Sequence, residues 1–196
     1  MKRSETRKRT RLREYDYSSP GAYFVTMCTE AKRPILCRIV GAGVLDGPGP
    51  ELTDQGKIVQ NRLEEMGRVY DDISIDHYVI MPNHVHLLLT IRGADPASGP
   101  SGTMGRTTGC AETGPGPSGT PAPTNARLPQ FISTLKRYTN REIGSAIWQR
   151  SYHDHIIRDE RDYLQHWQYI DDNPAKWLED PYFCDTINTH KGASTP

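Results

Sequence analysis

The sequence predicts an α+β fold built on a mainly antiparallel sheet. Strand-like segments occur in neighbouring pairs, and amphipathic helical stretches separate these pairs rather than alternating strictly with single strands. That order is typical of hairpins covered by helices and not of a parallel βαβ sheet. The length of 196 residues suits one domain, or one domain with extensions.

The first half of the chain predicts two strands, a helix and a hairpin. The strands cover 22–29 and 34–40, and a turn-rich loop follows over 41–50. Thr53 is placed to cap a helix that runs to about Tyr70, with Val59, Leu63 and Met66 on one face. Residues 73–81 then alternate between apolar and polar, Pro82-Asn83 predicts a tight turn, and a second strand starts at His84.

Residues 93–125 interrupt this pattern. They consist largely of Gly, Pro, Ser, Thr and Ala and predict a flexible linker, because they cannot bury enough apolar surface to offset their ordering entropy. A helix over 127–145, a strand over 148–157 and a helix over 158–172 are expected after it. We therefore expect a basic arm at 1–14, a single domain at 15–180 interrupted by the linker, and a C-terminal tail at 181–196.

The charges balance overall but not locally. Lys and Arg number 24, as do Asp and Glu, whereas residues 1–13 hold seven basic side chains against Glu5 alone. Such an arm could bind phosphates and release counterions, or it could be a solvated tail. The basic residues expected to contact nucleic acid there are Arg7, Lys8, Arg9 and Arg11.

The cysteines and the apolar runs bear on the compartment. Four cysteines without a CxxC pair indicate thiols in a reducing environment rather than a disulfide framework or a zinc site. No apolar run approaches the ~20 residues that a membrane span needs. We expect a soluble cytoplasmic protein.

Two histidines stand at alternate positions of an otherwise apolar strand. Because residues i and i+2 of a strand share a face, Val85, Leu87 and Leu89 are expected in the core, and His84 and His86 on the opposite face. Side by side, the two imidazoles could bind one divalent cation. They could equally be hydrogen-bonded histidines on a half-solvated face.

The helix over 127–145 offers possible partners for them. Tyr138 and Glu142 are i and i+4, on one flank of its apolar stripe. If the helix packs on the sheet, Glu142 could complete a two-histidine, one-carboxylate metal site with Tyr138 beside it. The ordinary alternatives are a tyrosine that only packs and a glutamate paired with Lys or Arg.

A tyrosine beside a metal suggests phosphoryl transfer. Its hydroxyl, with a usual pKa near ~10, is a poor nucleophile at neutral pH, and a cation can polarise a phosphate for attack. Lys136, Arg137 and Arg141 surround Tyr138 and could hold a nucleic-acid backbone, or they could form a solvated helix face.

Five segments taken together carry a family resemblance. HVH in MPNHVHLLL fits the HUH pattern, in which U is a large apolar residue. One further segment precedes it, DYSSPGAYFVTMCT, and three follow it in this order: LKRYTNRE, IWQRSYHDHIIRDE and YIDDNPAKW. Through these five segments the chain resembles the REP-associated tyrosine transposases. These are relatives of the single-tyrosine HUH transposases of bacterial insertion sequences.

The resemblance implies a ferredoxin-like domain that cuts and joins single-stranded DNA next to folded REP-type hairpins. A tyrosine would attack the scissile phosphate, form a 5′-phosphotyrosine and leave a free 3′-hydroxyl, with Mg²⁺ or Mn²⁺ bound. It implies Tyr138 as nucleophile and His84, His86 and Glu142 as ligands, with Arg150 and His155 near the DNA. The tyrosine helix could act within a monomer or swap within a homodimer.

Several alternatives stay open at this point. His153-Asp154-His155 is a second HxH, which we interpret as lining the site, although His155 could replace Glu142 as third ligand; two histidines and a carboxylate would also accept zinc. The chain could instead be a hydrolytic nuclease that uses a metal-bound water. It could also be a non-catalytic nucleic-acid binder that stacks bases on Tyr15, Tyr17 and Tyr152.

Overall fold

The computed structural model describes residue 17 and residues 19–41, 48–93 and 126–183. The strands are β1 (Gly21–Cys28), β2 (Cys37–Val40), β3 (Gly49–Leu52), β4 (Ile73–Ile80), β5 (His84–Ile91) and β6 (His153–Ile156), and the helices are α1 (Asp54–Val69), α2 (Arg127–Ile143) and α3 (Glu160–Asp172). A four-stranded sheet has the order β4-β5-β1-β6, and β2 and β3 form a separate ribbon. Each pair in the sheet is antiparallel, so the predicted ferredoxin-like α+β fold is confirmed.

Helices α1 and α2 cover one face of the sheet. The Thr53 side chain accepts a hydrogen bond from the Gly56 amide and caps α1, as its position before the apolar-periodic run predicts. The two helical stripes pack against alternate residues of β1 and β5 in one continuous cluster. Its members from these elements include Val59, Leu63, Leu128, Phe131, Ile132, Leu135, Tyr23, Val25, Val85, Leu87 and Leu89.

Helix α3 covers the opposite face. Its buried Ile170 packs with Val79 and Leu88 in a second apolar cluster, to which Trp167 of α3 and Trp177 also contribute. Leu88 lies between Leu87 and Leu89, whose side chains are in the first cluster, so β5 is apolar on both faces. The sheet is therefore the middle layer, and His84 and His86 point to the α3 side.

The strand β4 departs from the alternation that the sequence predicts. The pairing with β5 shifts between Ile75 and His77, which marks a bulge at Asp76. One extra residue reverses the faces of everything beyond it. Ile73 and Ile75 accordingly pack with the α1 and α2 layer, whereas His77 stacks on Trp167 of α3.

Other boundaries shift modestly. The predicted loop at 41–50 contains the start of β3, whose Pro50 is tolerated because the ribbon has only two strands. The predicted strand over 148–157 is shorter, since Trp148 makes only an isolated bridge to Thr29 before β6 begins. Most of the linker, the basic arm and most of the C-terminal tail lie outside the described residues. Among the described helices, none has the length and apolar character to cross a membrane.

Candidate functional site

The two histidines of β5 lie in a closed environment under α3. Their ring centroids are 4.5 Å apart, and His84 is 0% and His86 1% exposed. His84 and His86 are therefore buried and do not lie on the half-solvated face that the alternative interpretation expects. Aromatic rings of Tyr169, Trp177 and Tyr182 cover the pair from α3 and the segment after it.

One nitrogen of each ring is fixed by a neighbour. The Asn83 amide nitrogen donates to the backbone oxygens of Lys32 and Tyr182, which orients the Asn83 oxygen towards His84. His84 Nδ1–H therefore donates to Asn83 Oδ1 over 2.8 Å. The Nδ1 atom of His86 lies 2.8 Å from the hydroxyl oxygen of Thr26, its cross-strand partner on β1. Such contacts set tautomer and ring orientation in metal-binding histidines.

The other nitrogen of each ring has no such partner. Neither His84 Nε2 nor His86 Nε2 has a hydrogen-bond partner among the described residues, although both are buried. Burial lowers the pKa of His84 to about 4 and that of His86 well below its usual value. Both imidazoles are thus neutral at physiological pH, with lone pairs available for a cation.

A carboxylate completes this donor set. Asp180 Oδ2 lies 3.8 Å from His84 Nε2, and ligand atoms of His84, His86 and Asp180 all lie within 4.8 Å of one another. Asn173 donates from its amide to Asp180 Oδ2 over 3.1 Å, while its own buried Oδ1 has no partner among the described residues. Two neutral imidazoles and a carboxylate fit a divalent cation.

A tyrosine of α3 stands at the edge of this donor set. The Tyr169 hydroxyl donates to Asp180 Oδ2 over 3.4 Å, and its ring centroid lies 5.2 Å from that of His86. The residue is 37% exposed, so an incoming group can reach it. Burial and the nearby Asp180 charge raise the pKa of Tyr169 to about 12, so the hydroxyl is protonated unless a positive charge approaches.

A cavity of about 450 Å³ opens beside Tyr169. It lies between β1, β5, α3 and the segment after α3. The residues that line it are Phe24, Thr26, His86, Gln165, His166, Tyr169, Pro181 and Tyr182. The volume is within the range of small-ligand sites, and its walls are mostly aromatic rings, a surface on which nucleotide bases stack.

Tyr138 and Glu142 are not brought to the histidines within one chain. They belong to α2, which packs on the face of the sheet opposite to His84 and His86. Tyr138 is 40% exposed beside Arg62 and Arg137, and Glu142 accepts a hydrogen bond from Arg62 Nε over 2.6 Å. The ordinary alternatives, an aromatic ring that packs and a glutamate paired with arginine, describe these contacts.

The other expected DNA contacts have mixed placements. Lys136 donates from Nζ to the backbone oxygens of Gln149 and Ser151, so it holds the chain before β6. The side chains of Arg137 and Arg141 are exposed on α2, and that of Arg150 is exposed shortly before β6. His155 is on the α3 side, where it contacts Asp162. Arg7, Lys8, Arg9, Arg11 and Tyr15 lie outside the described residues.

Sequence reasoning missed Tyr169, Asn173 and Asp180. A signal was present: Tyr169 and Asn173 in YIDDN have the same i, i+4 spacing as Tyr138 and Glu142, again a tyrosine followed by an oxygen donor. The sequence pattern predicts Asn83 only as a turn residue, although it directly precedes HVH. Nothing in the spacing marks Asp180, which reaches the site through an irregular segment.

No family model matches the chain. An uncharacterized protein of Haemophilus influenzae is 32% identical to it over 179 residues, which cover 91% of this chain and 94% of that protein. This chain and that protein belong to one family. Likeness at this level over almost the full length of both chains means that they share a fold.

A solved structure shows what that fold resembles. The chain is similar to a REP-associated tyrosine transposase bound to a REP hairpin, with a TM-score of 0.53 and 20% identity over 86% of this chain and 74% of the transposase. The family member described here thus has the fold of that transposase. The resemblance that the sequence motifs indicate is confirmed at the level of the fold.

Proposed function

We propose that this protein is a metal-dependent DNA strand transferase that forms a covalent tyrosine link with single-stranded DNA. One observation carries the proposal. The unpartnered Nε2 atoms of His84 and His86, the carboxylate of Asp180 and the hydroxyl of Tyr169 converge at one end of a cleft. The fold shared with a REP-associated tyrosine transposase supports the same reaction class.

In this proposal Tyr169 is the nucleophile. Its oxygen attacks the scissile phosphorus and forms the bond to the 5′-phosphate, and the bond from phosphorus to the 3′-oxygen breaks. The Tyr169 hydroxyl gives up its proton and the 3′-oxygen gains one, so a free 3′-hydroxyl is released with no net change in protons. The reverse attack by a 3′-hydroxyl rejoins the strand without an external energy source, because the phosphotyrosine ester retains the bond energy. Position supports Tyr169 over Tyr138, since of these two tyrosines Tyr169 lies beside the histidines, whereas Tyr138 belongs to the helix on the other face of the sheet.

A divalent cation is part of the proposal. His84, His86 and Asp180 would hold Mg²⁺ or Mn²⁺, with the Asn173 oxygen available as a further donor. When bound, the cation would polarise the phosphate and offset charge that develops on its oxygens. The residues Asn83 and Thr26 keep the two imidazoles in place for it.

The expected partner is single-stranded DNA next to a folded hairpin. The transposase with the shared fold is bound to a REP hairpin, which supports this class of ligand. The aromatic lining of the cleft suits an unpaired nucleotide, and the exposed Arg137, Arg141 and Arg150 suit a phosphate backbone. Because the histidines lie on the α3 side of the sheet and Arg137 and Arg141 belong to α2 on the other side, we propose that the DNA runs around the β6 edge of the sheet.

A comparison of tyrosine variants tests the proposal. The protein is incubated with Mn²⁺ and labelled single-stranded oligonucleotides that carry hairpins, and the protein–DNA adduct is resolved by denaturing electrophoresis. Tyr169→Phe should abolish the adduct, whereas Tyr138→Phe and Tyr182→Phe should retain it. Mass spectrometry of the digested adduct should place the nucleotide on Tyr169.

Other outcomes identify the alternatives. Loss of the adduct in Tyr138→Phe alone would assign the reaction to α2 of a partner subunit, and mixing that variant with the inactive His84→Ala, His86→Ala protein, which keeps Tyr138, would restore the adduct. Cleavage without any adduct, unchanged in Tyr169→Phe, would indicate a hydrolytic nuclease. Binding that survives chelation and a His84→Ala, His86→Ala double variant, with no cleavage, would indicate a non-catalytic binder.

A further inference from the structure

A second histidine faces the cleft from the same helix as Tyr169. His166 lies three residues before Tyr169 on α3, a displacement of about 4.5 Å along the helix axis. Both line the cavity, together with His86. The donor set of His84, His86 and Asp180 does not include His166.

Asp162 fixes the orientation of this ring. His166 Nδ1 lies 2.8 Å from the backbone oxygen of Asp162 and 3.1 Å from its carboxylate. A carbonyl oxygen can only accept, so Nδ1 carries the hydrogen and Nε2 is the atom left for exchange with a ligand. The arrangement of carboxylate, imidazole and reacting group is that of an oriented acid–base histidine.

Asp162 is itself held rigidly. Its carboxylate accepts from His155 Nε2 over 2.8 Å and from the Arg158 amide over 3.0 Å. His155 of β6 stacks on His166, with centroids 4.7 Å apart and planes at 21°. Two histidines and a carboxylate also suit a cation, but these protein donors already occupy the Asp162 oxygens, so the cluster needs no ion to explain it.

His166 is surrounded by groups from three elements, and its side chain stays 22% exposed where it lines the cavity. His155 and Asp162 flank it from the sheet edge and from its own helix, and Tyr169 follows one turn later. Phe24 packs against both His166 and His86, with centroids 4.6 Å and 5.1 Å away. The Phe24 ring thus contacts both His86, a proposed metal ligand, and His166.

We propose that His166 is the residue that exchanges a proton with the 3′-oxygen of the DNA; this rests on the proposed function. In-line displacement puts the leaving oxygen on the side of phosphorus away from the Tyr169 hydroxyl, which lies at the Asp180 end of the cleft. His166 lies about one helical turn from Tyr169 towards the N-terminus of α3. As the bond between phosphorus and the 3′-oxygen breaks, protonated Nε2 gives its proton to that oxygen, while the proton of the attacking Tyr169 hydroxyl passes to water at the exposed side of the ring. On rejoining, neutral Nε2 removes the proton from the 3′-hydroxyl, and the released Tyr169 oxygen takes one from water.

A sulfur-substituted substrate tests this role. The protein is given oligonucleotides in which the bridging 3′-oxygen at the scissile phosphate is either oxygen or sulfur, with the same metal ion in both. A thiolate leaves without protonation, whereas an alkoxide does not. His166→Gln should slow adduct formation on the oxygen substrate by roughly 10²- to 10⁴-fold. On the sulfur substrate, the slowing caused by His166→Gln should be less than about one tenth as large as on the oxygen substrate.

A matched variant controls for structural effects. His77 also pairs with an aspartate of α3, with Nε2 2.7 Å from Asp171 Oδ1, but it lies outside the cavity lining. His77→Gln should leave both substrates at wild-type rates. Asp162→Asn should show a smaller loss on the oxygen substrate than His166→Gln, with the same rescue by sulfur.

The outcomes separate this inference from the function on which it rests. Equal slowing of both substrates by His166→Gln, or no slowing of either, overturns the role of His166 while the adduct on Tyr169 still supports the function. An adduct that survives Tyr169→Phe overturns the assignment of Tyr169 as nucleophile, on which the role of His166 also depends, and no adduct in the wild type overturns the function itself. Selective rescue by sulfur supports both.

Discussion

His84 donates from Nδ1 to the side-chain oxygen of Asn83 over 2.8 Å, and this bond decides which nitrogen of His84 faces the candidate metal position. Asn83 is held in turn by its amide bonds to Lys32 and Tyr182. Asn83 therefore supports the site without being a ligand itself, because it sets the tautomer of the neighbouring His84 ring.

Removing that orientation should weaken metal binding without removing a ligand. We expect Asn83→Ala to reduce Mn²⁺ affinity by about 10- to 100-fold, as changes to groups that orient metal ligands typically do. Titration monitored by electron paramagnetic resonance measures it. Gln60→Ala, which removes an amide on α1 in the other layer, is the control; equal affinity in all three proteins would contradict the role of Asn83.

The buried histidines should make the metal-free protein sensitive to acid. Burial lowers the pKa of His84 from its usual 6.5 to about 4, so between these values the unfolded chain binds a proton that the folded chain does not. The free energy of unfolding should be highest above about pH 6.5 and fall as the pH decreases towards about 4. Urea unfolding with a chelator present measures it. His84→Gln should flatten this slope, and an unchanged slope would contradict the assignment.

Local signals were sufficient for most of the fold. Thr53 before an apolar-periodic run predicts the start of α1, and Pro82-Asn83 between two alternating runs predicts the β4–β5 hairpin. Such features depend on a few neighbouring residues. The bulge at Asp76 was not predictable, since its cause is the pairing with β5 rather than the composition of β4.

The site was only half predictable for a physical reason. Alternation on a strand places His84 and His86 on one face, but a helical stripe does not say which face of the sheet a helix covers. Tyr138 on α2 and Tyr169 on α3 have similar local patterns, and only the tertiary packing separates them. Asp180 comes from a segment without periodicity, so no local pattern identifies it.

Two glycines of α1 should respond oppositely to alanine. A Cβ on buried Gly56 would collide with the backbone oxygen of Leu36, whereas a Cβ on exposed Gly67 would be in ordinary contact with the Ile75 side chain, whose Cδ1 is 3.6 Å away. We expect Gly56→Ala to lower the free energy of unfolding by about 1–3 kcal/mol. Gly67→Ala should raise it by about 0.5–1 kcal/mol through helix propensity. Chemical denaturation of both measures the difference, and equal effects would contradict the close approach at Gly56.

The last prediction separates the two carboxylates proposed as third ligand. Glu142 is 37% exposed in its ion pair with Arg62, so Glu142→Gln should change the free energy of unfolding by less than about 1 kcal/mol and leave Mn²⁺ affinity unaltered. Asp180→Asn changes the side chain near both histidines and should lower Mn²⁺ affinity at least 10-fold, by about 1.4 kcal/mol. Calorimetric titration of the two variants compares them directly. If Glu142→Gln lost the metal and Asp180→Asn kept it, the ligand would come from α2, and because α2 covers the other face of the sheet in its own chain, it would have to come from a second subunit.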